Sequence, residues 1–302
     1  MKKHTILALG ATLALAPFAS AQVVAESVVE GTLTAITPGT TSVELKVMDI
    51  LVIVPSTAVI STPTREDLTL AELSSLTRFP GRDRDGFLGG TAIVTGPSNA
   101  AGVITANTVF VEPAENVVVG LATPRAVSDP VGTVRVNGML VKFLQDPRIK
   151  FGAPLNDLGF EIDLAAIVPG TAVSIEGYYS ELDNAFYAFL LDAIGVPALS
   201  PALQASVLRA QGRADRGELS VLGAVSGVTG AGAVTVQIFR VLPNNTVGTR
   251  IGTVTATADV LPGTFTYRFS ARGVTPLPER VVARVVRGAV TATSAIFSVD
   301  IP

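Results

Sequence analysis

The 302-residue chain contains no cysteine and no tryptophan, and its only histidine is His4. Without cysteine, the chain has no disulfide framework and no thiolate nucleophile. With one histidine at the extreme N-terminus, it has no imidazole general base and no Ser-His-Asp triad. Zinc, copper, haem and iron–sulfur sites also lose their usual ligands. We therefore expect a protein that is not an enzyme and carries no cofactor, with carboxylate chemistry or hard-cation binding as the remaining options.

The N-terminus has the pattern of a secretory signal. A basic start at Lys2-Lys3 precedes an apolar run over Ile6–Phe18, and Ala19-Ser20-Ala21 supplies the small residues that signal peptidase requires. The pattern predicts a signal peptide over residues 1–21 and a mature chain that begins at Gln22. A membrane anchor is the alternative, but the apolar run is short for one. We expect a bacterial protein that is exported to the periplasm, the cell surface or the extracellular space.

The charge pattern limits the classes of binding partner that we expect. The formal net charge is -3, only 16% of residues are charged, and the mean hydropathy is +0.50. The arginines and acids are scattered along the sequence without a basic stripe, which argues against a nucleic-acid partner. The mature chain lacks an apolar run of transmembrane length, so we expect no transmembrane helix. The abundance of valine, alanine, threonine and glycine is typical of β structure.

Two stretches of the sequence resemble each other. Val28–Ile60 and Val117–Ile149 align without a gap, and many of the aligned positions are identical or conservatively replaced. Asn137-Gly138 lies between two apolar runs and predicts a type I′ hairpin, because that turn needs two residues with positive φ. Met48-Asp49 occupies the aligned position in the first stretch.

The correspondence extends downstream through three further pairs of segments, which are Leu68–Leu73 with Ile162–Ile167, Gly89–Gly96 with Pro169–Gly177, and Val103–Val111 with Ala185–Ala193. The first unit has an extra loop over Ser74–Phe87. Each unit is predicted to hold about five short strands and one short helical or turn segment, which fits a small barrel. The predicted boundaries are 22–114 for the first barrel and 115–198 for the second.

The remaining sequence changes character. Ser200-Pro201 has the form of a helix N-cap followed by proline at the first helical position. Leu203, Val207 and Leu208 share one helical face, so residues 199–218 are predicted to form a helical linker. From Leu219 onward, short alternating runs separated by glycine, proline and asparagine predict a β-sandwich of about seven strands over residues 219–302.

These motifs carry two resemblances. The V-x-G start, the hairpin at Val136-Asn137-Gly138 and a closing strand such as Ile104–Val111 resemble the small OB-like barrel domains of unknown function in secreted bacterial proteins, over about Val28–Ala193. Gly252–Phe269 and Arg280–Val299 resemble bacterial extracellular Ig-like domains. The resemblance implies an all-β chain with two tandem OB-like barrels and a C-terminal Ig-like sandwich. It carries over no catalytic residue.

Two groups of residues are candidate sites. Asp83 and Asp85, in the sequence GRDRDGF, have the alternate spacing of part of a Ca²⁺ loop, although a solvated loop with Arg–Asp pairs is the alternative. Tyr178, Tyr179 and Tyr187 belong to a predicted hairpin around SELDN. They are a possible ligand face, and the alternative is that they form core and cross-strand pairs.

The sequence thus predicts a non-enzymatic binding or scaffolding protein of the bacterial envelope, whose partner is an envelope protein or a glycan. A self-assembling surface component is the first alternative, because the mature N-terminal strand over Gln22–Ser27 can pair with another sheet edge. A Ca²⁺-binding module or a carboxylate-based enzyme is the second alternative.

Overall fold

The computed structural model describes residues 26–230 and 232–301. Nearly all regular structure is β-strand, with one short α-helix and one 3₁₀ turn, which confirms the predicted all-β class. Within these residues, no helix is long and apolar enough to cross a membrane. The predicted signal over residues 1–21 lies outside the described residues.

The first sheet is closed into a barrel. Its seven strands are β1 (Glu26–Pro38), β2 (Ser42–Val47), β3 (Ile50–Pro55), β4 (Val59–Ser61), β5 (Thr91–Pro97), β6 (Ile104–Thr105) and β7 (Thr108–Glu112). Their order is β4-β7-β5-β1-β2-β3-β6. Both β3–β6 and β4–β7 are parallel pairs, and hydrogen bonds from Ala106 N to Ile53 O and from Val59 N to Asn107 O join them. The two ends of the order therefore meet in one continuous parallel ladder.

The second sheet repeats this arrangement. Its strands are β8 (Asn116–Thr123), β9 (Val134–Val136), β10 (Met139–Phe143), β13 (Leu155–Asn156), β14 (Ala172–Ser180) and β15 (Ala185–Ala193), and a separate small pair is β11 (Gln145–Asp146) with β12 (Ile149–Lys150). The order is β10-β9-β8-β14-β15-β13, and a parallel pairing of β10 with β15 closes the ring.

Local structure follows the repeat. The helix α1 (Leu70–Leu73) in the first unit and the 3₁₀ turn η1 (Leu164–Ala166) in the second lie in the segments that align in sequence. The predicted hairpin between β9 and β10 is present, with φ of 50° at Asn137 and 84° at Gly138. Met48, at the aligned position of the first unit, also has a positive φ of 56°.

The extra loop of the first unit joins the two barrels. Phe79 and Phe87 from this loop are fully buried in a core that also contains Leu144, Ile149 and Tyr178 of the second barrel. The Tyr178 hydroxyl donates to the carbonyl of Pro80 at 2.7 Å. The core of the first barrel therefore extends into the second unit, which also has a core of its own around Val136, Ile175 and Leu191.

The third sheet forms two layers joined by one long strand. Its strands are β16 (Gln204–Arg213), β17 (Glu218–Ser226), β18 (Val234–Val241), β19 (Val247–Ala258), β20 (Phe265–Ala271), β21 (Arg280–Arg287), β22 (Val290–Thr293) and β23 (Phe297–Ser298). The order is β16-β17-β20-β19-β18-β21-β22, with β23 also paired to β21. A single core of mostly valine side chains lies between the layers.

The predicted helical linker over residues 199–218 is wrong. Gln204–Arg213 forms strand β16, which pairs with β17 along its whole length. The apolar spacing that fits a helical face instead arises from a β-bulge between Val207 and Arg209, which interrupts the strand alternation. The Ser200 hydroxyl accepts a hydrogen bond from Ala202 N in a local turn before the strand, so it does not cap a helix.

Candidate functional site

The Asp83–Asp85 loop lies against the surface of the first barrel. The Asp85 carboxylate accepts a hydrogen bond from Arg78 Nε at 2.7 Å, and Asp83 is exposed. Arg82 donates to the carbonyls of Gly86 and Leu88, which fixes the loop from within. Among the described residues, no group of three acidic, histidine or cysteine side chains could hold a metal ion. Within the described residues, no third acidic, histidine or cysteine side chain thus joins Asp83 and Asp85 in such a group, and the loop contributes to packing between the barrels.

The three tyrosines do not share an open face. Tyr178 and Tyr187 are buried and stacked, with ring centres 5.4 Å apart, and burial raises the pKa of Tyr178. The Lys142 ammonium bonds to Asp183 at 2.8 Å and to the Tyr187 hydroxyl. Only Tyr179 is exposed, and its hydroxyl donates to Asn184 at 2.6 Å. The hairpin therefore supplies core contacts and one accessible ring.

Charge is distributed very unevenly between the barrels and the third sheet. Residues 26–198 contain ten lysines or arginines and twenty acids, a formal net charge of -10. Residues 199–302 contain ten arginines and five acids, a net charge of +5. The small net charge of the whole chain conceals this polarity, so an acidic pair of barrels is followed by a basic sandwich.

Four of these arginines lie on one outward face of β16, β17 and β20. The strand register places two rows side by side, which are Arg209, Leu222 and Arg268, then Gln211, Ser220 and Ser270. A third row is Arg213, Glu218 and Arg272, in which Arg213 is opposite Glu218 by register and Arg272 joins through its ion pair with Glu218. Strands lie about 4.8 Å apart and successive rows about 7 Å apart. The outer arginines of a row are therefore about 10 Å apart. We call these nine residues the arginine face.

The arginines of this face are mostly free of acidic partners. Arg272 Nε pairs with Glu218 at 3.0 Å, and Arg209 donates to the Gln211 side chain at 2.6 Å. Arg213 and Arg268 are exposed and form no ion pair or side-chain hydrogen bond with other described residues. Part of the face borders a shallow depression of about 530 Å³ lined by Gln211, Arg213, Ser220, Ser270 and Arg272. The face thus holds three more cations than anions.

This arrangement suits the binding of anionic groups. A guanidinium group forms two parallel hydrogen bonds with a carboxylate, phosphate or sulfate group, and the serine and glutamine side chains add further donors. Neither Ser220 nor Ser270 hydrogen-bonds to an acidic or basic side chain in the described part of the chain.

Sequence reasoning missed this face. The arginines look scattered in the linear sequence, in which Arg213 and Arg268 are far apart. Two signals were available. The net charge reverses between the two parts of the chain, and Arg268 and Arg272 alternate with core residues in one strand pattern. The pairing of β17 with both β16 and β20 then brings the distant arginines together.

A comparison of the chain with protein-family models, curated proteins and solved structures finds no significant match.

Proposed function

We propose that this chain is an exported, non-enzymatic binding or scaffolding protein of the bacterial envelope, and that its arginine face holds an anionic partner. The partner class is an envelope protein or a glycan that carries several carboxylates or other anionic groups. In this proposal the two barrels are OB-like and the third sheet is an Ig-like sandwich.

The strand orders support these fold assignments. In the first barrel, β1 pairs with β2 and β5, and β3 is parallel to β6. In the second barrel, β8 pairs with β9 and β14, and β10 is parallel to β15. A Greek-key barrel of the OB type, with the short additional strands set aside, is consistent with these pairings, which supports the assignment. In the third sheet, β16, β17 and β20 form one layer and β18, β21, β22 and β23 the other. The long strand β19 pairs with β18 over most of its length and with β20 at Thr257 and Ala258. An Ig-like sandwich likewise divides its strands between two packed layers, which supports this assignment.

The observation that carries the functional proposal is the arginine face itself. Four exposed arginines with a single acid on one side of the sheet repel one another, and an anionic partner reduces that repulsion. Several guanidinium contacts to one polymer also add together as multivalent binding.

The test uses polygalacturonate, a polymer of carboxylate-bearing sugars, and the chain from Gln22 to Pro302. We expect binding that weakens with added salt, and a loss of at least about tenfold in affinity when Arg213 and Arg268 are both replaced by glutamine. The matched control is the pair Arg84→Gln and Arg250→Gln, which removes two exposed arginines elsewhere. Equal loss in both double variants, or no binding by the unmodified chain, would overturn the proposal.

A further inference from the structure

The second barrel has an exposed sheet face with an unusual composition. The register of β8, β14 and β15 gives three rows, which are Val117, Glu176 and Leu190, then Val119, Ser174 and Asp192, then Leu121 and Ala172. Leu190, at the edge of the first row, is partly buried against the core that continues into the first barrel. The three β8 side chains are large and apolar, and they are 56%, 73% and 52% exposed. We call these eight residues the acidic-apolar face.

The first barrel provides an internal comparison. Val28, Glu30 and Thr32 of β1 align with Val117, Val119 and Leu121 of β8 and occupy the same outward positions. Two of those three residues are polar in the first barrel, as is usual for a solvated face. The apolar row is therefore a property of the second barrel and is not required by the shared fold. Exposed apolar side chains in a row indicate an interaction surface.

The carboxylates of this face have no basic partner in the described chain. Glu176 and Asp192 form no ion pair with other described residues. The exposed Asp157 lies close enough to raise the pKa of Asp192, and the exposed Glu115 lies close enough to raise the pKa of Glu112. The Asp192 carboxyl is partly desolvated although the residue is exposed, and its pKa is raised by that desolvation and by Glu176 and Asp157. The surface therefore holds crowded negative charge that an external cation would relieve.

Glu112 adds to this imbalance at the end of the neighbouring β7 strand. Its residue is 7% exposed, and its pKa is raised to about 7, first by burial and then by Glu115 and Glu176. No arginine or lysine is among the groups that influence the pKa of Glu112 or Asp192. Within one molecule, the arginine face therefore does not neutralise these carboxylates.

We propose that the acidic-apolar face of one molecule binds the arginine face of a second copy of this chain, so that the molecules assemble head to tail. The inference rests on the proposed function in one respect, because both use the arginine face as the surface that receives carboxylates. Here the partner is the chain itself.

The two faces are complementary in charge and in form. Each is the outer surface of three antiparallel strands, with side chains in rows set by the strand register. Glu176 and Asp192 supply carboxylates for the unpaired guanidinium groups, and Leu222 lies between Arg209 and Arg268 where it can contact the valine row. Because the two faces differ, the contact is heterologous, and a pair of molecules keeps one free acidic-apolar face and one free arginine face. Such a contact extends into rings or filaments.

The experiment is light scattering after size exclusion on residues 22–302 at low ionic strength over a wide concentration range. We expect the mass to grow with concentration and to return to that of one chain at high salt. The double variant Glu176→Arg and Asp192→Arg should stay monomeric, and so should Arg209→Glu with Arg268→Glu. An equimolar mixture of these two variants should assemble again, because each then offers a face complementary to the other. The matched control is Glu30→Arg with Glu44→Arg, which makes the same charge change on the first barrel and should assemble normally.

The outcomes are distinct. A monomeric mass for the unmodified chain at all concentrations overturns head-to-tail assembly, and so does assembly that both reversal variants retain. Failure of the mixture to assemble also overturns it. If the chain is monomeric while Arg213→Gln with Arg268→Gln still loses polygalacturonate binding, the head-to-tail inference fails and the proposed binding function stands. Loss of both results rejects both proposals.

Discussion

The guanidinium carbon of Arg148 lies 3.8 Å from the centre of the Phe79 ring. The same group forms a two-pronged ion pair with Asp146 and donates to the carbonyl of Thr77 at 2.9 Å. Arg148 belongs to the second barrel, whereas Phe79 and Thr77 belong to the loop of the first. One buried cation thus connects the two barrels through stacking, an ion pair and a hydrogen bond.

Replacing Arg148 by methionine should strongly destabilise the pair of barrels. The change keeps an apolar stem but leaves Asp146 buried without its partner, which costs about 3–5 kcal/mol. Denaturant unfolding followed by circular dichroism measures the loss. The control is Arg84→Met, at an exposed position of the first-barrel loop over Ser74–Phe87. It should change the free energy of unfolding by less than about 0.5 kcal/mol. Equal effects of the two substitutions would show that Arg148 has no special role.

Glu112 predicts a fall in stability with rising pH. Its pKa is about 7 in the folded chain, above the ordinary value of 4.5, because the carboxyl is buried and close to Glu115 and Glu176. The folded state therefore holds the proton more tightly, and its contribution is greatest below pH 4.5 and decreases as the pH rises through 7. Glu112→Gln should raise the melting temperature at pH 8 and change it little at pH 4.5. A gain in unfolding free energy of at most about 3 kcal/mol is expected at pH 8. Glu30→Gln should produce no such pH-dependent difference.

Glu72 should make the stability of the fold decrease as the pH falls, which is the opposite of the effect of Glu112. Its pKa is lowered to about 2 by the Arg65 guanidinium at 2.7 Å and by the backbone N–H of Thr69. The stabilisation is present above pH 4.5 and is lost as the pH falls through 2. Glu72→Gln should cost about 1–2 kcal/mol at pH 7, since it removes both the ion pair and part of the helix cap. Unfolding at pH 2 should show almost no difference between the variant and the unmodified chain.

Gly177 is predicted to tolerate no side chain. A β-bulge lies between Glu176 and Gly177, and a Cβ at Gly177 would be 2.0 Å from the carbonyl oxygen of Tyr187. Gly177→Ala should therefore lower the unfolding free energy by more than about 2 kcal/mol. Gly152→Ala is the control, because a Cβ there meets nothing within 4 Å. Thermal melts of the two variants that coincide would contradict this interpretation.

The sequence predicted the features that depend on neighbouring residues. The hairpin at Asn137-Gly138, the two helical turns in aligned segments and the alternating strands all follow from local chemistry. The helix predicted before β17 failed because the bulge after Val207 produces an apolar spacing close to that of a helix. Local pattern alone cannot distinguish the two when the deciding partner strand is distant in the sequence.

The candidate site depends on contacts between residues that are distant in the sequence. Tyr178 is buried because a loop some hundred residues earlier covers it, through Pro80 and Phe79. The arginine face exists because β17 lies between β16 and β20. The amino-acid composition alone shows the excess of arginine in the last third of the chain. The rows of the arginine face become visible only when the strand register is known.

The shared core of the barrels restricts how this chain can diverge. Two units that arose from similar sequences usually remain interchangeable modules, which recombination can delete, multiply or transplant. Here the first unit donates two phenylalanines to an interior that the second unit completes. A gene that inherited either barrel alone would expose this contact, which is the apolar loop in the first unit and the buried Tyr178 and Phe189 rings in the second. The two barrels are therefore expected to be inherited as a pair.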